Sequence, residues 1–150
     1  MRRNLMILAA AIYGATAASV ASAHHSHPYF YDQCRNITLE GRIESVEFKD
    51  PHTILVLRLD DGTAYTVDWA GLSELTNTSI IRPAKEALVP GTRVVVTGNP
   101  IRDVTQIRQH FPNVERVNPN TVDPSSIRRV GDEFSWALSP SPSPPNCDPK

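Results

Sequence analysis

The sequence predicts an all-β fold with one short helix: an OB-like, partly open barrel of five antiparallel strands. Three observations carry this. Apolar and polar residues alternate with a period of two over much of the chain after residue 36. Turn-forming pairs, among them Asp50-Pro51, Asp61-Gly62, Pro90-Gly91 and Asn99-Pro100, cut that pattern into short runs. A single helical candidate falls between the third and fourth runs, where an OB-like barrel carries its helix. A small antiparallel β-sandwich is the alternative arrangement of the same runs.

The elements follow in order. Residues 37–49 predict the first strand, with Leu39, Ile43 and Val46 set among polar neighbours and Gly41 as a bend or bulge. Asp50-Pro51 ends it. Residues 52–59, from His52 to Leu59, are rich in apolar and β-branched side chains and predict the second strand. Asp60, Asp61, Gly62 and Thr63 form a hairpin signal, because Asp-Gly suits a tight turn with positive φ. The third strand spans residues 64–69, with Tyr65, Val67 and Trp69 on one face. Residues 70–81 are irregular, with Asn77 and Thr78 as weak caps. Residues 82–88 predict two helical turns, since Pro83 near the first turn forfeits no needed N–H. Residues 92–98 make the fourth strand, and Asn99-Pro100 breaks it. The pattern then weakens. Val114 to Val117 is the candidate fifth strand, Asp123-Pro124 reads as a loop, and residues 134–138 alternate as a last edge strand.

The first 23 residues stand apart. Arg2 and Arg3 precede an apolar run, and Ala21, Ser22 and Ala23 form an A-x-A cleavage site. These are the three parts of a secretory signal peptide. The run is short for a membrane span, which needs roughly 20 apolar residues. The expected organisation is a leader at 1–23, a His-rich segment at 24–36, an OB-like domain at 37–138 and a disordered Ser-Pro tail at 139–150. The expected location is the periplasm or outside the cell, with no transmembrane anchor after cleavage. The chain carries 15 basic and 16 acidic residues. Without Arg2 and Arg3 the mature chain keeps 13 basic residues against 16 acidic, a formal charge of −3. That balance argues against a nucleic-acid partner, which favours a basic surface. The two cysteines, Cys34 and Cys147, are an even pair in an oxidising compartment and suggest a disulfide, two free thiols being the alternative.

Three of five histidines fall at the expected mature start: His24, His25 and His27. His52 opens the second strand and His110 precedes Phe111-Pro112. Imidazole is a common ligand for copper and zinc. If cleavage follows Ala23, the α-amine and the ring of His24 can chelate one ion, and a strand histidine completes a three-nitrogen site. If cleavage follows Ser22, His25 becomes the third residue, another good Cu(II) chelate. Tetragonal nitrogen coordination suits Cu(II). The plain alternative is a soluble histidine-rich terminus with adventitious metal affinity. Asp68 and Trp69 place a carboxylate beside an aromatic in a cleft, although core is the favoured reading of Trp69. Tyr65 and Trp69 are the candidate cleft aromatics. No G-x-S-x-G, P-loop or dinucleotide fingerprint is present.

Four features resemble a family of small exported proteobacterial proteins built on a domain of unknown function. They are Ala23 to Ser26, the Asp50-Pro51-His52 turn where the family has Asn-Pro-His, Val67-Asp68-Trp69, and Leu88 to Gly98, which follows the family's Pro-Gly-x-x-Val-x-Val-x-Gly. The resemblance spans roughly residues 23–105. It implies an OB-like barrel and export, and it pairs the histidine start with His52. It implies no activity. The leading expectation is a non-enzymatic periplasmic binding protein with a Cu(II) site at His24, His25 and His52. The second is an interaction module that binds a periplasmic protein, glycan or small ligand through Tyr65, Val67 and Trp69. The third is a copper-dependent oxidative enzyme.

Overall fold

The computed structural model of the chain describes residues 27–132 and 135–136. The expected leader, His24, His25, Cys147 and the Ser-Pro tail lie outside the described residues. The elements are α1 His27–Phe30, β1 Ile37–Glu47, β2 His52–Leu59, β3 Ala64–Ala70, α2 Leu72–Asn77, α3 Ile81–Ala87, β4 Arg93–Pro100, α4 Val104–Arg108, β5 Thr121–Arg129 and β6 Ser135–Trp136.

Strands β1, β2 and β3 form an antiparallel meander. Strand β4 pairs antiparallel with the other edge of β1, and β5 with β4. The circuit closes where β3 meets β5 in parallel, at Thr66–Thr121 and Val67–Val122. An odd ring of strands cannot alternate direction all the way round, so one neighbouring pair must be parallel. The result is the expected five-stranded barrel, closed by that pair. The short β6 adds to β5 at Ile127 and Arg128.

Alternation decides what the barrel holds. Thr53, Leu55 and Leu57 of β2 face inward, as do Val67 and Trp69 of β3 and Val94 and Val96 of β4. Leu75, Ala84 and Leu88 from the α2–α3 connection are fully buried and join this core. Burying one such large apolar side chain contributes roughly 1.5–3 kcal/mol relative to exposure. No helix among the described residues is long and apolar enough to cross a membrane.

Several expectations need correction. The bulge in β1 sits at Glu44, between Ile43 and Ser45, not at Gly41. Its signature is a change of phase: Leu39 and Ile43 are odd-numbered, while the next apolar position, Val46, is even. Gly41 has a different task. A Cβ there would lie 2.5 Å from the Arg58 carbonyl oxygen, so the two strands approach too closely for any side chain. The connection after β3 holds two helices rather than one. The first, α2, has Gly71 at its N-cap and no local side-chain cap. Asp50 supplies the cap from the β1–β2 turn, accepting hydrogen bonds from Ser73 N at 3.0 Å and Ser73 Oγ at 2.7 Å. These bonds hold the Asp50 carboxyl below the usual carboxylate range.

The fifth strand is also displaced. Residues 114–117 are not a strand, and β5 runs through Asp123-Pro124 instead. Pro124 lies beside a register shift between Thr97 and Gly98, where the ladder is already interrupted and a missing N–H is tolerated. Strand β4 continues through Asn99 and Pro100 to meet it. The short α4 carries a capping box that the sequence displays: Asp103 accepts from Thr105 N at 2.8 Å, and Gln106 reaches back to the Asp103 N–H.

Candidate functional site

His52 is the first residue of β2 and stands on the outer face of the barrel. Ile54 pairs with Asp68 across the β2–β3 ladder, so His52 and Asp68 are diagonal neighbours on that face. The His52 Nδ1 lies 2.7 Å from Asp68 Oδ1. The His52 side chain is 46% exposed and that of Asp68 is 21% exposed. Asp68 Oδ1 receives no directed hydrogen bond among the described residues, so the approach is electrostatic rather than a well-aligned donor contact. The other carboxylate oxygen, Oδ2, accepts the Tyr31 hydroxyl at 2.5 Å.

Asp123 completes the cluster. The parallel register that sets Val67 beside Val122 brings Asp68 and Asp123 to the same level one step further on. Burial, and then the neighbouring Asp68 charge, push the Asp123 carboxyl up to about 7. The Tyr31 phenol is likewise pushed up, first by burial and then by Asp68. The site is therefore a partly exposed imidazole backed by a carboxylate, with a buried tyrosine and a second, reluctantly ionised acid behind it. A histidine with one ring edge held by a carboxylate presents its other nitrogen outward, which is how metal-binding imidazoles are commonly oriented.

Tyr31 reaches this cluster from the N-terminal segment. That segment lies along the end of β4: Tyr31 bridges Ile101, Asp32 N donates to Pro100 O at 2.9 Å, and Arg102 N donates to Phe30 O at 2.8 Å. The Arg102 guanidinium donates to Pro28 O at 3.3 Å. Farther out, the Tyr29 ring lies 4.2 Å from His110 and the Phe30 ring 5.0 Å from Phe111, measured between centroids. His110 thus packs on an aromatic ring and stands apart from the His52 cluster.

Among the described residues no group of three or more His, Cys, Asp or Glu side chains is arranged to hold a metal ion. Of the expected ligands, His52 is the one described; His24 and His25 lie outside. Cys34 is on the turn after α1, and its expected partner Cys147 lies outside. The two candidate cleft aromatics lie differently. Trp69 is 2% exposed and belongs to the barrel core, and Tyr65 packs against that core. Both sit on the inward phase of β3 with Val67, so of the face expected at Tyr65, Val67 and Trp69 only Tyr65 keeps partial exposure. An open groove of about 460 Å³ runs between Ile101–Val104 and Glu115–Val117 and shares no residue with the His52 cluster.

Tyr31 and Asp123 carried no sequence signal as site residues. Tyr31 arrives through an isolated bridge, and Asp123 through the parallel closure. Both juxtapositions are long-range. Asp68 was visible only as a carboxylate next to an aromatic.

Fold and site together describe an OB-like barrel with an outward histidine–carboxylate–tyrosine cluster beside its closing seam. The chain belongs to a family of unknown function (DUF6152), which matches residues 13–108. No curated protein is similar enough in sequence to match. Among solved structures, a chain of the S. pombe Stn1–Ten1 complex is similar over 65% of this chain, with 14% identity and a TM-score of 0.45. The match covers 60% of that chain's length.

Proposed function

We propose that this chain is an exported, non-enzymatic binding protein that holds one Cu(II) ion at the outer face of its barrel, between the processed N-terminus and His52. Export is read from the tripartite leader and the Ala21-Ser22-Ala23 site. The observation that carries the copper reading is the support behind His52: its Nδ1 edge faces Asp68, and Asp68 is tied by Tyr31 to the very segment that leads back to His24. His24 precedes α1 by three residues, a reach of at most ~10 Å of extended chain. The α-amine and ring of His24, the ring of His25 and the ring of His52 then offer a nitrogen set that suits Cu(II).

The test compares three proteins: one starting at His24, one with a single extra residue before His24, and His52→Ala in the first. Calorimetry and electron paramagnetic resonance read Cu(II) stoichiometry and coordination. The first protein should take one ion, and the other two should bind at least about tenfold more weakly. The extra residue moves the α-amine off the residue that bears the ring, which breaks the chelate. If all three bind alike, the histidines are adventitious and the reading is wrong. Intact mass of the exported protein checks the start: a species retaining Met1 contradicts the processed terminus.

A further inference from the structure

We propose that the open groove between residues 101–104 and 115–117, with the aromatic ledge beside it, docks a neutral oligosaccharide. Neither part shares a residue with the His52 cluster, so the proposal stands apart from the copper reading. Arg102 joins the two parts. It lines the groove, its backbone N–H donates to Phe30 O at 2.8 Å, and its guanidinium donates to Pro28 O at 3.3 Å. Tyr29 lies between those two acceptors and is thereby carried at the edge of the groove.

The ledge is made of rings that stand outside the barrel core. Phe30 packs on Phe111 and fastens α1 to α4. Tyr29 lies against His110 and is 41% exposed, and His110 is exposed as well. Such rings offer a flat apolar surface with an electron-rich face. The C–H face of a pyranose fits that surface. The groove supplies the polar half. One wall carries Arg102 and Asp103, the other Glu115 and Arg116, alongside Val104 and Val117. These four formal charges cancel. A phosphate or a polyanion would meet two carboxylates, and a cation would meet two guanidinium groups. Sugar hydroxyls both donate and accept, so they suit a lining of acceptor-only carboxylates and donor-only guanidiniums. Among the described residues the side chains of Glu115 and Arg116 have no hydrogen-bond or ion-pair partner, which leaves both for a ligand. Their wall is already held in place, since Arg108 donates to Val114 O at 2.7 Å and to Glu115 O. Binding then orders little of the protein. A peptide backbone also donates and accepts, but it has no broad C–H face to lay on Tyr29.

Amide NMR titration of the isolated protein tests this. The probes are cellohexaose, N-acetylchitohexaose and maltohexaose, beside tripolyphosphate and a mixed-sequence peptide. At least one of the sugars should shift the amides of residues 29–30, 101–104 and 110–117 and leave the barrel strands unmoved. Tyr29→Ala and Arg116→Ala, both at exposed positions, should each weaken that binding about fivefold or more while the strand signals stay in place. If none of the three sugars moves those amides, the proposal is wrong. Sugar binding that survives both substitutions also overturns it. So does a response to tripolyphosphate or to the peptide in place of the sugars, which would make the groove an anion or a peptide site.

Discussion

The Asp68–Asp123 pair is the electrostatic oddity of the molecule. Two acids lie side by side on a half-buried face, and the deeper one resists ionisation. An acid whose folded pKa of about 7 exceeds its unfolded value near about 4 stabilises the fold fully below the lower value. That stability is lost as pH rises through the higher value. Asp123→Asn mimics the neutral acid at every pH. The variant should therefore match wild type near pH 4 and exceed it at pH 8 by on the order of a few kcal/mol. Denaturant unfolding of the metal-free proteins at pH 4, 6 and 8 reads this directly. A difference independent of pH would show that Asp123 ionises freely. Half of this cluster was legible beforehand. His52 announced itself as a histidine opening a strand after Pro51, and Asp68 as a carboxylate in an otherwise apolar strand. Tyr31 and Asp123 did not, because residues 37 and 55 positions away from Asp68 meet it only through tertiary pairing.

At the scale of elements, β5 shows how local chemistry misleads. Asp123-Pro124 has the composition of a turn, yet it lies within a strand, because Gly98 opposite it has no side chain. A Cβ at residue 98 would stand 2.0 Å from the Asp123 carbonyl oxygen, closer than any atoms can pack. Gly98→Ala must therefore push β4 and β5 apart. It should cost about 3 kcal/mol or more. Thermal unfolding of Gly98→Ala beside a surface control checks it, and a near-neutral result would mean that the β4–β5 register is wrong. Strands β2, β3 and β4 were legible nearly to their ends, because strict alternation leaves one phase to bury. Helix α2 was not, because its cap comes from Asp50 in another turn and nothing in residues 70–73 advertises a start. The family resemblance places asparagine where Asp50 stands, and an asparagine oxygen can accept the bond from Ser73 N, while its amide NH2 would donate to the Ser73 hydroxyl instead of accepting from it. Helix α4 was legible and overlooked: Asp103 and Gln106 are three residues apart, the spacing of a capping box.

For the whole molecule, strand order and the place of the helical connection were enough to read a five-stranded barrel, and the structure has that barrel. Composition also bears on the ends of the chain. Cys34 and Cys147 would enclose a loop of over 100 residues if they pair. On the chain-entropy view such a bridge stabilises by at most about 4–5 kcal/mol. Under the export proposed above, the processed protein is expected to carry it. Thiol labelling under denaturing, non-reducing conditions should then find no reactive cysteine, and two labelled thiols would exclude the bridge.

The parallel seam between β3 and β5 also sets an order of events. Every other neighbouring pair in the ring is linked by a hairpin or a short connection, or runs along most of a strand; the seam holds two residue pairs and joins positions 55 apart. Loop closure across that distance carries an entropic cost before any contact rewards it. Since the family match ends at residue 108, the strand that completes the ring lies beyond it. A chain ending at β4 would lack Val122 and Ile127, the β5 residues paired with Val67 and Val96 in the closed barrel. Completion of the interior therefore waits for the last quarter of the polypeptide, which supplies β5.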